Sequence, residues 1–271
     1  MSFDRPKWFE RGIRRQQLDD YIDRTGTATF GFKELPASEK ETWVRRHFDT
    51  VAPYYDFMNT LCSLGIHYIW KRMAVNRLNL RPGQIVLDVC GGTGDLSILA
   101  DEKVGPGGKV ILFDINREMI QAGRVSSSHS AARKRIHYIQ GNAEAICLPE
   151  RTCDAAMVGF GIRNVTRLRR AFSEMHRVLK PGGRFMCLEF SKPVNPVFRR
   201  FYDFHSFHIM PLLGQLLVGN REGYLCLPET IRLFSLPEEL SALLTDVGFT
   251  DVAFRRLTNG IAVIHTGRRP L

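Results

Sequence analysis

Residues 85–95 read IVLDVCGGTGD. A short apolar run, Ile85-Val86-Leu87, ends in Asp88 and then breaks into Gly91, Gly92 and Gly94 around Thr93. An amphipathic stretch, Leu96 to Ala100, follows. The pattern predicts a strand, a tight turn and a helix. Glycines suit such a turn because the backbone takes unusual dihedrals there and a ligand can approach it closely. A second apolar run, Val110 to Phe113, ends in Asp114. An acid about twenty residues past the glycines, closing the second strand, can accept two hydrogen bonds from a ribose diol. A chain with this unit folds around a parallel sheet flanked by helices.

The glycine spacing differs from the GxGxxG of dinucleotide-binding proteins, which place a pyrophosphate on the helix N-terminus. Here Asp95 follows Gly94 directly. A carboxylate at the helix start repels a pyrophosphate and suits a ligand with positive charge. S-adenosylmethionine, with its sulfonium and amino group, is such a ligand. The alternative is a glycine turn that only packs strand on helix.

From Gln84 onward strands and helices alternate. The spacing predicts strands near 85–89, 110–114, 136–140, 154–159 and 185–190, and helices near 95–102, 117–126 and 167–179. Residues 251–257 and 261–266 flank Thr258-Asn259-Gly260 and read as a terminal hairpin. The fold class is therefore α/β. It is a doubly wound sheet, mostly parallel with one C-terminal antiparallel hairpin strand, plus an N-terminal helical segment and a helical insertion. Residues 1–30 read as a loosely ordered extension and 31–271 as the domain. Residues 38–80 look helical, with Ser38 as N-cap, Glu41 three residues on and a break at Pro53. Residues 194–245 interrupt the sheet pattern as a mostly helical insertion, expected to cover the substrate.

The net charge of +10 points to an acidic partner, either nucleic acid or an anionic membrane surface. The basic residues are dispersed in short clusters such as Arg14-Arg15, Arg133-Lys134-Arg135 and Arg199-Arg200, which counts against nucleic acid. The six cysteines form no CxxC pair, so a zinc site or a disulfide framework is not expected, and the reading is a cytoplasmic protein with reduced thiols. No secretory signal is visible, and no stretch of about eighteen apolar residues occurs. The nearest, 201–218, carries Asp203, His205, His208 and Gln215.

Several longer motifs are more specific than the glycine loop. They are YYDFMN at 54–59, SLGIHYIWKR at 63–72, LDVCGGTGD at 87–95, FGIRNV at 160–165 and RVLKPGGRFMCLEFSKP at 177–193. Together they resemble the ubiquinone/menaquinone biosynthesis C-methyltransferases over nearly the whole chain, Thr29 to Arg268. The resemblance implies a Rossmann-like methyltransferase domain. It also implies methyl transfer from S-adenosylmethionine to a ring carbon of a polyprenylated quinol. Gly91, Thr93, Asp114, Asn142, Ala143 and Gly159 fall on the cofactor positions. Asn59, Asn164 and His205 fall where the acceptor is expected. The chain departs from its relatives at His205, where tyrosine is common, and over Tyr224–Thr230. Both departures lie in the insertion and bear on the acceptor.

Carbon methylation needs an electron-rich ring carbon in line with the S–CH₃ bond, water kept out and developing phenolate charge stabilised. Arg163, just past the fourth strand, is assigned phenolate stabilisation or orientation of a water, since a guanidinium stays protonated. Tyr55 either packs as a core aromatic or bonds a quinol oxygen. His205 and His208 are candidate proton acceptors; Asp203 reads as a solvated helix residue. A polyprenyl tail implies peripheral contact with the inner face of a membrane through 201–218, aided by Arg199-Arg200, or else a tunnel lined by the same residues. The rival activities are a same-fold methyltransferase acting on a soluble acceptor and a non-catalytic assembly subunit.

Overall fold

The computed structural model describes residues 19–126 and 135–271. The Arg14-Arg15 cluster, Arg133-Lys134 and residues 1–18 of the expected loose extension lie outside the described residues. Residues 19–30 hold regular structure: helix α1 (Asp19–Thr25) and strand β1 (Thr27–Phe30), which pairs with β2 (Lys33–Pro36) in a small antiparallel hairpin.

That hairpin corrects the expected cap. Helix α2 (Ala37–Val51) starts from Pro36, without a side-chain cap, and the Ala37 N–H donates to Gly26 O at 2.9 Å. Ser38 therefore sits inside the first turn. The Gly26 carbonyl satisfies one of the free N–H groups of the first turn, and no side chain caps the helix. The break at Pro53 is as expected, and α3 (Tyr55–Ser63) and α4 (Ile66–Arg77) follow a short 3₁₀ turn.

The main sheet has seven strands: β3 (Ile85–Val89), β4 (Lys109–Asp114), β5 (Ile136–Gln140), β6 (Cys153–Gly159), β7 (Leu179–Phe190), β8 (Thr250–Leu257) and β9 (Ala262–Arg268). Their spatial order is β5-β4-β3-β6-β7-β9-β8. Pairing is parallel from β5 to β7, and β9 runs antiparallel to both neighbours. One strand is reversed, as the hairpin reading required. The hairpin link is wider than a two-residue turn: Leu257 pairs with Ala262, so residues 258–261 lie between the strands, and Thr258 and Asn259 take left-handed φ values of 43° and 55°. Asn259 is a tether: its carbonyl accepts from Val194 N at 2.8 Å and its side chain from Asn195 N at 3.1 Å.

Alternating residues of the central strands feed two cores. Leu87 and Val89 face one, with Phe172, Phe185 and Phe249; Val86 faces the other, with Trp70, Leu96 and Met157. Helices α5 (Asp95–Val104) and α6 (Arg117–Ser126) follow β3 and β4. Helix α7 (Leu168–Val178) buries Leu168, Ala171, Phe172, Met175 and Val178, a single helical stripe.

The insertion is helical as expected. Asn195 caps α8 (Pro196–Phe204) by accepting from Val197 N and Phe198 N. A π-helical turn, His205–Ile209, leads into α9 (Met210–Val218), then α10 (Arg221–Leu233) and α11 (Pro237–Val247). The chain order reverses at β3, whose two neighbours β4 and β6 lead away in opposite directions. A crevice opens at the carboxyl ends of the strands at such a point.

Candidate active site

A cavity of about 480 Å³ occupies that crevice. The ends of β3, β4 and β6 form its floor, α2 to α4 one wall and the 194–245 insertion another. All eleven site residues expected from the sequence line it.

Asp114 closes β4 and is 8% exposed. Its Oδ2 accepts from Gly92 N at 2.8 Å and its Oδ1 from Asn116 N at 2.7 Å. Burial raises its pKa, and the backbone donors oppose that rise. A carboxylate has roughly four acceptor positions, so acceptor capacity remains for a vicinal diol. The glycine loop thus fixes the acid's orientation.

Gly159 ends β6, and a Cβ there would meet Leu96 Cδ1 at 2.4 Å, so glycine lets α5 pack against the strand end. Asn142 has both ends of its amide engaged: Nδ2 donates to Glu41 Oε2 at 2.9 Å, and Oδ1 accepts from Glu144 N at 2.8 Å. It ties the loop after β5 to α2. Ala143 beside it is buried in the core. The Thr93 hydroxyl donates to Asp56 Oδ1 at 2.8 Å, binding the glycine loop to α3. Asp95 already faces a cation of the protein itself, since Lys71 Nζ lies 2.6 Å from its Oδ2.

At the other end of the cavity Arg163 is 6% exposed. Its Nη1 donates to Glu189 Oε1 at 2.9 Å and to the carbonyl of Phe160. Its charge also lies 5.5 Å from the centre of the Phe190 ring. Burial raises the Glu189 pKa, and the neighbouring guanidinium is the largest opposing influence. Phe160 holds φ at 57°, a left-handed backbone uncommon for a bulky residue. Gly161 makes this turn possible, because a Cβ there would meet Cys90 Cβ at 2.4 Å. The turns after β3 and β6 are thus in contact directly beneath the Arg163 loop.

Tyr55 and Asn59 reach the cavity from α3, and Asn164 from the short 3₁₀ turn carrying Arg163. Burial raises the Tyr55 pKa; Lys71, Arg163 and a hydrogen bond to Asn59 oppose the rise. His205 reaches the wall from the π turn, and burial lowers its pKa. His208 does not line the cavity. It is exposed, with its ring stacked on Phe204 at 4.9 Å. Asp203 is not the solvated residue its sequence position suggested: it pairs with Arg232, whose side chain is fully buried. That arginine donates to Pro228 O at 2.9 Å and lies 4.1 Å over Phe207, so the pair locks α8 and the π turn to α10.

Sequence reasoning missed Glu189, Lys71 and His67. Glu189 gave one signal, a lone charge inside the apolar run MCLEF. The other two lie within the 63–72 motif, but their significance depends on a partner in another element or turn.

Comparison with known proteins places the chain among relatives of known description. The chain is 44% identical over 241 residues to the "Ubiquinone/menaquinone biosynthesis C-methyltransferase UbiE" of Hahella chejuensis, covering 89% of this chain and 97% of that one. The protein of the same description from a Marinomonas species is 42% identical over 245 residues, 90% of this chain and 98% of its own length. Among solved structures, a SAM-dependent methyltransferase from Aquifex aeolicus superposes with a TM-score of 0.53 at 18% identity, covering 73% of this chain and 88% of that one. This last likeness is one of fold. The family model described as the ubiE/COQ5 methyltransferase family matches residues 37–269, spanning the β2–α2 boundary, the entire main sheet and the helical insertion. The chain belongs to that methyltransferase family.

Proposed function

We propose that the chain transfers a methyl group from S-adenosylmethionine to a ring carbon of a polyprenylated quinol, making menaquinol from demethylmenaquinol, or the corresponding ubiquinol precursor, or both. One observation carries the reading. A single cavity joins a ribose-type acid, Asp114, to a buried cation, Arg163, beneath an apolar helical cover.

The residues at the floor suit S-adenosylmethionine. Asp114 keeps acceptor capacity for a diol, and Gly91, Gly92 and Gly94 bring no side chains to the loop beside it. Gly91, Gly159 and Ala143 supply surface without polar demand. When bound, the cofactor supplies an electrophilic methyl group. The chain's own residues do the rest. Arg163 faces oxygen charge as it develops on the ring, and Glu189 keeps its guanidinium in one orientation. Tyr55 and Asn59 orient a ring hydroxyl, with Asn164 beside Arg163. His205 and the apolar residues of the insertion exclude water and receive the first part of the tail.

We also propose peripheral membrane contact at the cytoplasmic inner face. No helix among the described residues is long and apolar enough to cross a membrane. Phe204, Leu212, Leu216 and Leu217 on α8 and α9 are exposed, with Leu216 at 70%. Phe201 belongs to both settings: it lines the cavity and is 71% exposed. The tail's entry and the lipid-facing surface are thereby contiguous.

The test is turnover. Purified protein is given methyl-labelled S-adenosylmethionine and, separately, a short-tailed demethylnaphthoquinol, a short-tailed benzoquinol precursor and soluble catechols. Label in a quinol ring carbon is expected. Transfer to soluble acceptors alone would reject the reading.

A further inference from the structure

His67 stands at the second position of α4, lines the cavity and is 4% exposed. Its Nδ1 lies 2.6 Å from Ser63 Oγ. The same Ser63 hydroxyl donates to Asn59 O, also at 2.6 Å. A serine hydroxyl has one proton. Since that proton goes to Asn59 O, Ser63 Oγ meets His67 as an acceptor, and His67 carries its own proton on Nδ1. The remaining ring nitrogen, Nε2, then has a lone pair. The ring is braced a second time by Tyr68, whose ring centre is 4.0 Å away. Ser63 thus anchors the His67 ring to the backbone of the helix carrying Tyr55.

We propose that His67 is the base that removes the ring-carbon proton of the acceptor after the methyl group has been transferred. The inference rests on the quinol reading given above. In atoms, the ring carbon's electron pair forms the new C–C bond while the S–CH₃ bond breaks, and its electrons stay on sulfur. The methylated carbon still holds its hydrogen, so the ring is not aromatic. Nε2 of His67 takes that proton, and the C–H electron pair restores the aromatic ring. The sulfonium charge disappears as one proton appears on imidazole, so charge balances and no further reactant is required. The proton then leaves to solvent.

The surroundings suit this step better than removal of a phenolic proton. Burial lowers the His67 pKa to about 4; Lys71 on its own helix lowers it further, and Asp95 at the start of α5 opposes the fall. So weak a base is a poor match for a phenol. It is a good match for the strongly acidic C–H of a methylated, dearomatised ring. It is also neutral at pH 7 and ready to accept. The adjacent Lys71 ammonium favours prompt release of the proton afterwards.

The test uses His67→Asn, whose amide N–H can replace Nδ1–H toward Ser63 while offering no base at Nε2. Rates are measured for wild type and variant with an acceptor carrying hydrogen or deuterium at the methylated carbon, and cofactor affinity is measured by calorimetry. The variant is expected to lose about 10²-fold or more in kcat. It should keep its cofactor affinity and gain a primary deuterium isotope effect larger than that of wild type, because C–H cleavage becomes slow. Added imidazole should restore part of the rate to His67→Gly. A His67→Asn enzyme at wild-type rate overturns the proposal. So does a slow variant with an unchanged isotope effect, which would make His67 structural. A wild-type enzyme that methylates no quinol removes the underlying functional reading instead, and the proposal with it.

Discussion

Arg163 and Glu189 form an ion pair at 2.9 Å with side-chain exposures of 6% and 2%. The two residues come from different elements, Arg163 from the 3₁₀ turn after β6 and Glu189 from the end of strand β7. Such a pair is weak evidence for stability, because taking both charges out of water offsets their attraction. Its geometric effect is clearer: Glu189 fixes where the guanidinium points.

Removing either partner should therefore separate rate from cofactor binding. Arg163→Ala is expected to lower kcat by about 10²-fold or more, with cofactor affinity nearly unchanged. Arg163→Lys should recover only part of the loss, since an ammonium lacks the planar fork. Glu189→Gln should lower kcat and also the unfolding free energy, by about 3–5 kcal/mol if the arginine is left as an uncompensated buried charge. Steady-state kinetics and urea denaturation measure both. Normal turnover by Arg163→Ala would reject its role.

Asp114→Ala should weaken cofactor binding by roughly 2–4 kcal/mol, from two charge-assisted hydrogen bonds less some compensation by water. Calorimetry on the purified variant measures it. An unchanged affinity would mean that the acid serves only to order Gly92 and Asn116.

Buried imidazoles should contribute a rise in stability between about pH 4 and pH 6.5. Burial lowers the His265 pKa to about 4, and the same holds for His67. The unfolded chain binds protons at these sites near the ordinary histidine value, about 6.5, while the native protein does not. Their contribution is fully present above that value and is lost as pH falls through the folded one. Asp88 acts in the opposite sense. Burial raises its carboxyl to about 7, so the native state holds a proton that the unfolded state has released. Denaturant titrations should show His265→Gln reducing the slope by about 1.4 kcal/mol per pH unit. An unaltered slope would show that His265 is protonated without cost.

Liposome flotation addresses the membrane contact. Arg199 is committed to the protein, donating to the carbonyls of Pro193 and Val194 at 3.2 Å each, whereas Arg200 is exposed. Binding should rise with anionic lipid. Arg200→Glu should weaken it by about 1 kcal/mol or more, and Leu212→Asp with Leu216→Asp should weaken it further. Recovery of every variant with the lipid fraction at wild-type level would exclude docking through α8 and α9.

The part of the fold written in local pattern was legible before the structure. The strand, glycine turn and helix from Ile85 to Val104 follow from periodicity and punctuation, and Asp114 from its position after the second strand. Long-range partners were not legible. Lys40, 1% exposed, sends its ammonium to Val165 O at 3.0 Å, and nothing near either residue announces it. Asp203 looked like a surface acid because its helix is apolar and its partner Arg232 lies on another helix. Ser38 had the right chemistry for a cap, but the hairpin ending at Pro36 had already filled that position.

The place of β9 between β7 and β8 has a consequence for how the chain matures. β8 leaves the ribosome before the strand it pairs with, and β7 presents an unpaired edge until β9 arrives. Both edges are satisfied by a single late event. Until then the nascent chain exposes a template for pairing with other chains. A chain that lacks β9 would therefore carry an unpaired β7 edge open to pairing with other chains.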